Sequence, residues 1–194
     1  MEIGATKAVQ DRLKTTKIEE SKGASLVFCW DTHLTKIKGR NVLFIVNASN
    51  RYTIAMTDIE PRNWNYYTMY IRIVIHGVMQ EMGYSEDQIG QYFKMSGDTT
   101  VTKTHGRKSV GGINRMVMDA QYFGKKLEKE VKYQWELSEY LNRDICQPEG
   151  FDAYGYPNEL FKLDMERLGI ATKRKPAKVI DFAQYIENNR GTNH

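Results

Sequence analysis

The stretch from Ser25 to Thr57 constrains the fold more than any other part of this chain. It holds three runs of β-forming residues joined by two short turns. Ser25 to Ile37 alternates loosely, Lys38-Gly39-Arg40 turns the chain, and Asn41 to Asn47 runs back. Asn47-Ala48-Ser49-Asn50 turns it again into Arg51 to Thr57, where Tyr52, Ile54 and Met56 recur at every second position. Runs of this length, separated by Gly- or Asn-bearing turns, predict an antiparallel meander. The unbroken apolar run Val42 to Val46 predicts its central strand, covered on at least part of both faces.

The remaining elements are read around that meander. Glu2 to Thr6 predicts a short strand and Lys7 to Lys14 a short helix. Pro61 opens a long helix whose apolar stripe runs Trp64, Tyr67, Ile71, Val74, Val78 and Met82, and Gly83 ends it. Ser85 and Gln88 are spaced as a capping box for the next helix. Thr99 to Thr104 predicts a short strand, followed by helices over Ser109 to Phe123, Leu127 to Asn142, and Pro157 up to Gly169. Strands first and helices after give an α+β domain over residues 1–169. Its expected architecture is a small antiparallel sheet, the meander plus one or two more strands, with helices packed mainly on one face. Residues 170–194 read as a basic linker, Lys173 to Lys178, and a short tail with an amphipathic segment from Val179 to Ile186.

Composition narrows the function classes. A hydrophobic fraction of 41% with 27% charged residues excludes wholesale disorder. The formal net charge of +4 permits a nucleic-acid partner without demanding one. Cys29 and Cys146 stand in no CxxC arrangement and read as reduced thiols. With no apolar run long enough for a bilayer and no apolar leader, a cytoplasmic protein without a membrane partner is expected.

The stretch Thr102 to Asn114, Thr-Lys-Thr-His-Gly-Arg-Lys-Ser-Val-Gly-Gly-Ile-Asn, is the candidate site. It reads as a strand end, a basic turn and a helix entry, with Arg115 just beyond and no acidic residue. Anions bind where a basic loop feeds a helix N-terminus, because free N–H groups and the helix dipole both point there. The expected anion-binding residues are Lys103, Arg107, Lys108, Ser109 and Asn114, with Gly106, Gly111 and Gly112 allowing close backbone approach. The spacing excludes a P-loop. Positive charge gathers in this turn and in the Lys173 to Lys178 segment, and the remainder of the chain nets about −4.

Other chemistry finds less support in the residues. Asp31 and His33 share a strand face and could build a metal site or a general-base pair. No HxH or HExxH accompanies them, so no metal and no cofactor is expected, and no GxSxG elbow marks a nucleophile.

The chain resembles a bacterial family of uncharacterised proteins, domain of unknown function 6933. The resemblance runs from Met1 to about Gly169, through Ala5-Thr6-Lys7, Trp30, the Arg40 to Asn47 strand, Asn50-Arg51-Tyr52 and Tyr154-Gly155-Tyr156-Pro157. It is strongest at Thr102-Lys103-Thr104, Arg107, Ser109-Val110 and Asn114. Where members tend to carry His-Ala-Asn after the tryptophan, this chain has Asp31-Thr32-His33. The resemblance implies a compact domain met in bacterial, plasmid and phage settings, and it carries no activity with it.

Function is therefore read by elimination. The leading expectation is a non-enzymatic binding or regulatory module whose basic turn contacts nucleic acid or a phosphate-bearing ligand. One alternative is a protein-interaction factor, such as a phage- or plasmid-borne inhibitor of a host protein, using exposed tyrosines and the Val179 to Ile186 segment. Another is an enzyme on phosphorylated substrates, which needs Lys103, Arg107, Ser109 and Asn114 to converge in one pocket.

Overall fold

A computed structural model of the chain describes residues 1–14 and 18–172. The Lys173 to Lys178 and Val179 to Ile186 segments lie outside the described residues. The meander forms as its sequence demands: β2 (Cys29–Ile37), β3 (Arg40–Asn47) and β4 (Thr53–Thr57) are antiparallel neighbours. Lys38 and Gly39 both take positive φ between β2 and β3, the twist a two-residue hairpin turn requires.

Two more strands extend the sheet. β1 (Glu2–Ala5) lies against β2, and β5 (Thr100–Thr102) lies beyond β1, giving the order β4-β3-β2-β1-β5. β1 runs parallel to both its neighbours, so the sheet is mixed rather than antiparallel throughout. Parallel pairing needs long connections, and helices supply them. α1 (Lys7–Leu13) follows β1, while α2 (Pro61–Asn65), α3 (Tyr67–Glu81) and α4 (Glu86–Ser96) lead into β5. The apolar run Val42 to Val46 is central to the meander, but β2 is central to the sheet.

Alternation along β3 sends its side chains to two cores. Leu43 and Ile45 join Ile3, Trp30 and Ile54 beneath α1–α4 and α7 (Pro157–Arg167). Val42, Phe44 and Val46 join Ala55 beneath α5 (Arg107–Gln121) and α6 (Trp135–Asn142). Five of the helices thus pack on one face, as expected, and two cover the other. This is an α+β fold. The large core is pinned by buried polar tips: Trp30 Nε1 donates to the Tyr92 hydroxyl at 2.9 Å, which donates to Val27 O at 2.7 Å.

Three expected element boundaries differ. The helix from Pro61 breaks at Tyr66, whose backbone leaves the helical region, and the break lets Trp64 and Tyr67 both turn inward and stack at 5.6 Å. Residues 127–134 do not join the helix ending at Asn142. They run instead along the edge of β4, where Thr57 N–H donates to Lys132 O and Gln134 N–H to Ala55 O. Asn142 Oδ1 accepts from Thr53 N–H and Ser138 Oγ from Ala55 N–H, so this edge is sealed against further pairing. At the other terminus Ile170, which the sequence assigns to the tail, is buried in the large core. No helix among the described residues is long and apolar enough to cross a membrane.

Candidate functional site

The Thr102–Asn114 stretch folds over the parallel end of the sheet, on the face that α5 covers. There Glu2 of β1 stands beside Cys29 of β2, and Gly4 beside Asp31. A side chain at Gly4 would collide with this arrangement: its Cβ would lie 1.8 Å from Asp31 Oδ1 and 3.0 Å from Thr104 Cα. The missing side chain is the space that the Asp31 carboxylate and the returning backbone occupy. His105 is thereby laid across the sheet, and Gly106 (φ 95°) turns the chain into α5.

The result is a buried ionic cluster. His105 Nδ1–H donates to Asp31 Oδ1 at 2.7 Å, and Nε2–H donates to Glu2 Oε2 at 3.0 Å. Side-chain exposure is 3% for His105, 4% for Glu2 and 0% for Asp31. Asp31 also accepts from His105 N–H and from the Ser109 hydroxyl, while Lys22 N–H donates to Glu2 Oε1 at 2.8 Å. Burial works against charge on the imidazole, but the bond to Asp31 and the neighbouring Cys29 outweigh it and hold the His105 pKa up at about 10. Burial likewise pushes the Glu2 carboxyl up, and its bonds from Ser21, His105 and Lys22 outweigh that, leaving it below its usual range. An imidazole held charged by two carboxylates is a cation that binds, not a base ready to take a proton at neutral pH.

The five expected anion-binding residues part into two groups. Arg107, Lys108 and Asn114 are exposed together on the outer face of α5, with Arg115 beside them, and Lys108 Nζ donates to Pro148 O at 3.3 Å. Ser109 faces inward and gives its hydroxyl to Asp31, and the N-cap is Gly106 rather than Ser109. Lys103 is drawn off to the side by an ion pair with Glu20, and its N–H donates to Glu19 O. Lys103, Arg107, Ser109 and Asn114 therefore do not share a pocket, and the enzyme reading that needed their convergence has no geometric basis in them. The inner side of the turn already holds an anion, the carboxylate of Asp31.

Sequence reading missed Glu2, Cys29 and His105. The Asp31–His33 pair, which the sequence does not favour, does not form: His33 Nδ1 lies 3.1 Å from Thr6 Oγ1, and Asp31 is met by His105 from 74 residues away. One signal was present. A strand beginning Glu2-Ile3-Gly4 places a carboxylate and a glycine on the same face, and a glycine within a strand marks close approach by another group.

The described chain holds a second polar cluster, where Asn50 Nδ2 donates to buried Asp164 at 2.9 Å and Arg167 lies 3.3 Å from the same carboxylate. It ties the β3–β4 turn to α7 and is satisfied by those bonds.

No curated protein and no solved structure matches the chain. A family model described as Domain of unknown function (DUF6933) matches residues 2–160, a span that includes both strands of the ionic cluster, the basic turn and all of α5. The chain belongs to that family.

Proposed function

We propose that the protein is a nucleic-acid-binding module that lays the outer face of α5 against a phosphate backbone. One observation carries this reading: Arg107, Lys108 and Arg115 share an exposed helical stripe with Gly111 and Asn114, and the first turn of α5 has no acidic residue. Positions 107, 111, 114, 115, 118 and 122 recur at helical spacing, so the stripe continues to Met118 and to Tyr122, which is 80% exposed. Three cations can meet phosphates, bare Gly111 admits a close backbone, and Asn114 and Tyr122 offer hydrogen bonding and stacking. Arg115 is loosely paired with Asp119 at 3.4 Å, a contact that solvent weakens and a phosphate can replace. The buried ionic cluster serves this face by anchoring the first turn of α5 through Ser109 and Asp31. Two free, buried cysteines suit a reducing compartment.

The test is a salt titration of binding to short duplex DNA and to single-stranded RNA, read by fluorescence anisotropy. Affinity is expected to fall steeply with salt. A variant carrying Arg107→Ala, Lys108→Ala and Arg115→Ala should lose about three units of the log–log salt slope. Lys103→Ala, whose charge Glu20 already meets, should change it less. Absence of binding at low salt, or binding unchanged in the triple variant, would overturn the reading.

A second reading rests on a separate groove of about 700 Å³ between α5 and α6, lined by Phe123, Trp135 and Tyr140. Trp135 and Tyr140 remain 41% and 43% exposed, a pattern suited to a protein partner. Loss of a co-purifying protein on Trp135→Ala, with nucleic-acid binding intact, would support it.

A further inference from the structure

Beneath the basic turn, three side chains of different ligating chemistry converge. Glu2, Cys29 and His105 each offer one donor atom, and these atoms lie within 4.8 Å of one another. They come from three separate segments: the start of β1, the start of β2 and the β5–α5 turn. Glu2 and Cys29 are register partners on parallel strands, so the sheet itself sets their spacing. We propose that Glu2, Cys29 and His105 form a binding site for a divalent transition-metal ion of zinc's class, with Asp31 as the carboxylate that orients the histidine.

The surroundings favour ligation over a simple salt bridge. Metal-bound histidines usually donate the other ring N–H to a carboxylate, which fixes the tautomer and the ring plane. Asp31 does this at 2.7 Å through Nδ1, leaving Nε2 toward Glu2. Glu2 is oriented in the same way. Its Oε1 accepts from Lys22 N–H at 2.8 Å, which leaves Oε2 for the ion. Cys29 is fully buried; its thiol donates to the Ala24 and Ser25 carbonyl oxygens at 3.7 and 3.5 Å, and its sulfur lies beside the His105 ring.

A mixed sulfur, nitrogen and oxygen set suits zinc or cobalt and disfavours calcium and magnesium, which take oxygen ligands. With bonds of about 2.0–2.3 Å, a tetrahedral ion draws such donors together by roughly an ångström and leaves one position for a solvent molecule. Thiol and imidazolium each give up a proton on ligation. A divalent ion therefore replaces two protons, and the charge of the cluster does not change. The site lies on the inner side of the turn, separate from the proposed nucleic-acid face.

Cobalt(II) reports the site directly. The full chain, stripped of metal by chelator, is titrated with cobalt and followed by absorption. One equivalent should produce a thiolate-to-cobalt charge-transfer band together with d–d bands of a low-coordinate ion, and zinc should displace both. Cys29→Ser should abolish the charge-transfer band, whereas Cys146→Ser should leave it. Asp31→Asn keeps all three donors and is expected to weaken zinc about 10–100-fold. Alkylation mapped by mass spectrometry gives a readout independent of the variants: one equivalent of zinc should slow modification of Cys29 and leave Cys146 unchanged. A folded wild-type chain that shows no charge-transfer band, or one whose band survives Cys29→Ser, overturns the proposal.

Discussion

At the antiparallel end of the sheet, β3 and β4 turn Val42, Phe44, Val46 and Ala55 toward α5 and α6; at the parallel end, the same face carries Glu2, Gly4, Cys29 and Asp31. Both regions are equally dry, yet they are held by different forces. The apolar end gains from removing hydrocarbon from water and from close packing. The ionic end must strip water from three charged groups, and their mutual attraction repays that only because nearly every oxygen and nitrogen finds a partner. Apolar side chains of similar volume would hold α5 to the sheet at least as well. The charges at this position are therefore not accounted for by stability alone, and the proposed metal site would give them a use.

This contrast predicts how the two ends break. Phe44→Ala should cost about 3–5 kcal/mol through the cavity it leaves. Asp31→Ala should cost a similar amount, about 3–5 kcal/mol, by stranding the buried His105 cation. The ends separate in the double variants. Asp31→Ala with His105→Ala removes both charged partners, so its cost should fall short of the sum by about 1–3 kcal/mol. Phe44→Ala with Ile89→Ala opens cavities in the two separate cores and should come closer to additivity. Urea denaturation of the metal-free variants measures all of these. Additive behaviour at Asp31 and His105 would show that the ionic end is held by packing after all.

A smaller effect sharpens the same point at Gly4. Its Cβ would fall 1.8 Å from Asp31 Oδ1, so Gly4→Ala must push the carboxylate off His105. The expected loss is about 1–3 kcal/mol, typical of overpacking, with the fold retained. Gly77→Ala is the control, because a Cβ at that helical position meets nothing within 4 Å. Equal stability of the two variants would mean that Asp31 can move without consequence.

The apolar end was legible in the sequence, and the ionic end was not, for a physical reason. The unbroken apolar run Val42 to Val46, the alternation of Tyr52, Ile54 and Met56, and the Lys38-Gly39-Arg40 turn are local signals, and they predict β2 to β4 because hairpin pairing joins neighbours in sequence. The ionic cluster joins Glu2, Asp31 and His105 through parallel strands, whose long connections erase any fixed spacing. The Thr102–Asn114 stretch was recognisable as a site because its charges are contiguous, but its orientation was not. Only the returning backbone decides that Ser109 points in at Asp31 while Arg107 and Asn114 point out. The misreading of residues 127–134 as helix has a similar origin: their conformation answers the open N–H groups of β4, far away in sequence.

The smallest predicted effect lies where the two ends meet. His33 sits on β2 opposite Phe44, two residues past Asp31, and is half-buried with Thr6 Oγ1 as its ring partner. Burial lowers its pKa, the opposite of what the carboxylates do to His105. The unfolded chain titrates at the ordinary histidine value of about 6.5, so below that pH it takes up a proton that the folded chain resists. The stabilising contribution of a neutral His33 is therefore complete above about 6.5 and drains away as the pH falls toward and through the folded value. His33→Gln removes this proton and keeps a polar group near Thr6. Thermal unfolding of the two proteins between pH 8 and pH 5, on the metal-free chain, should give curves that run parallel on the alkaline side and converge in acid, with the wild type losing the greater share. Every other group, His105 included, contributes alike to both curves and cancels in their difference. Parallel curves across the whole range would place His33 in water, and would move the boundary between the two ends of the sheet one residue pair toward Phe44.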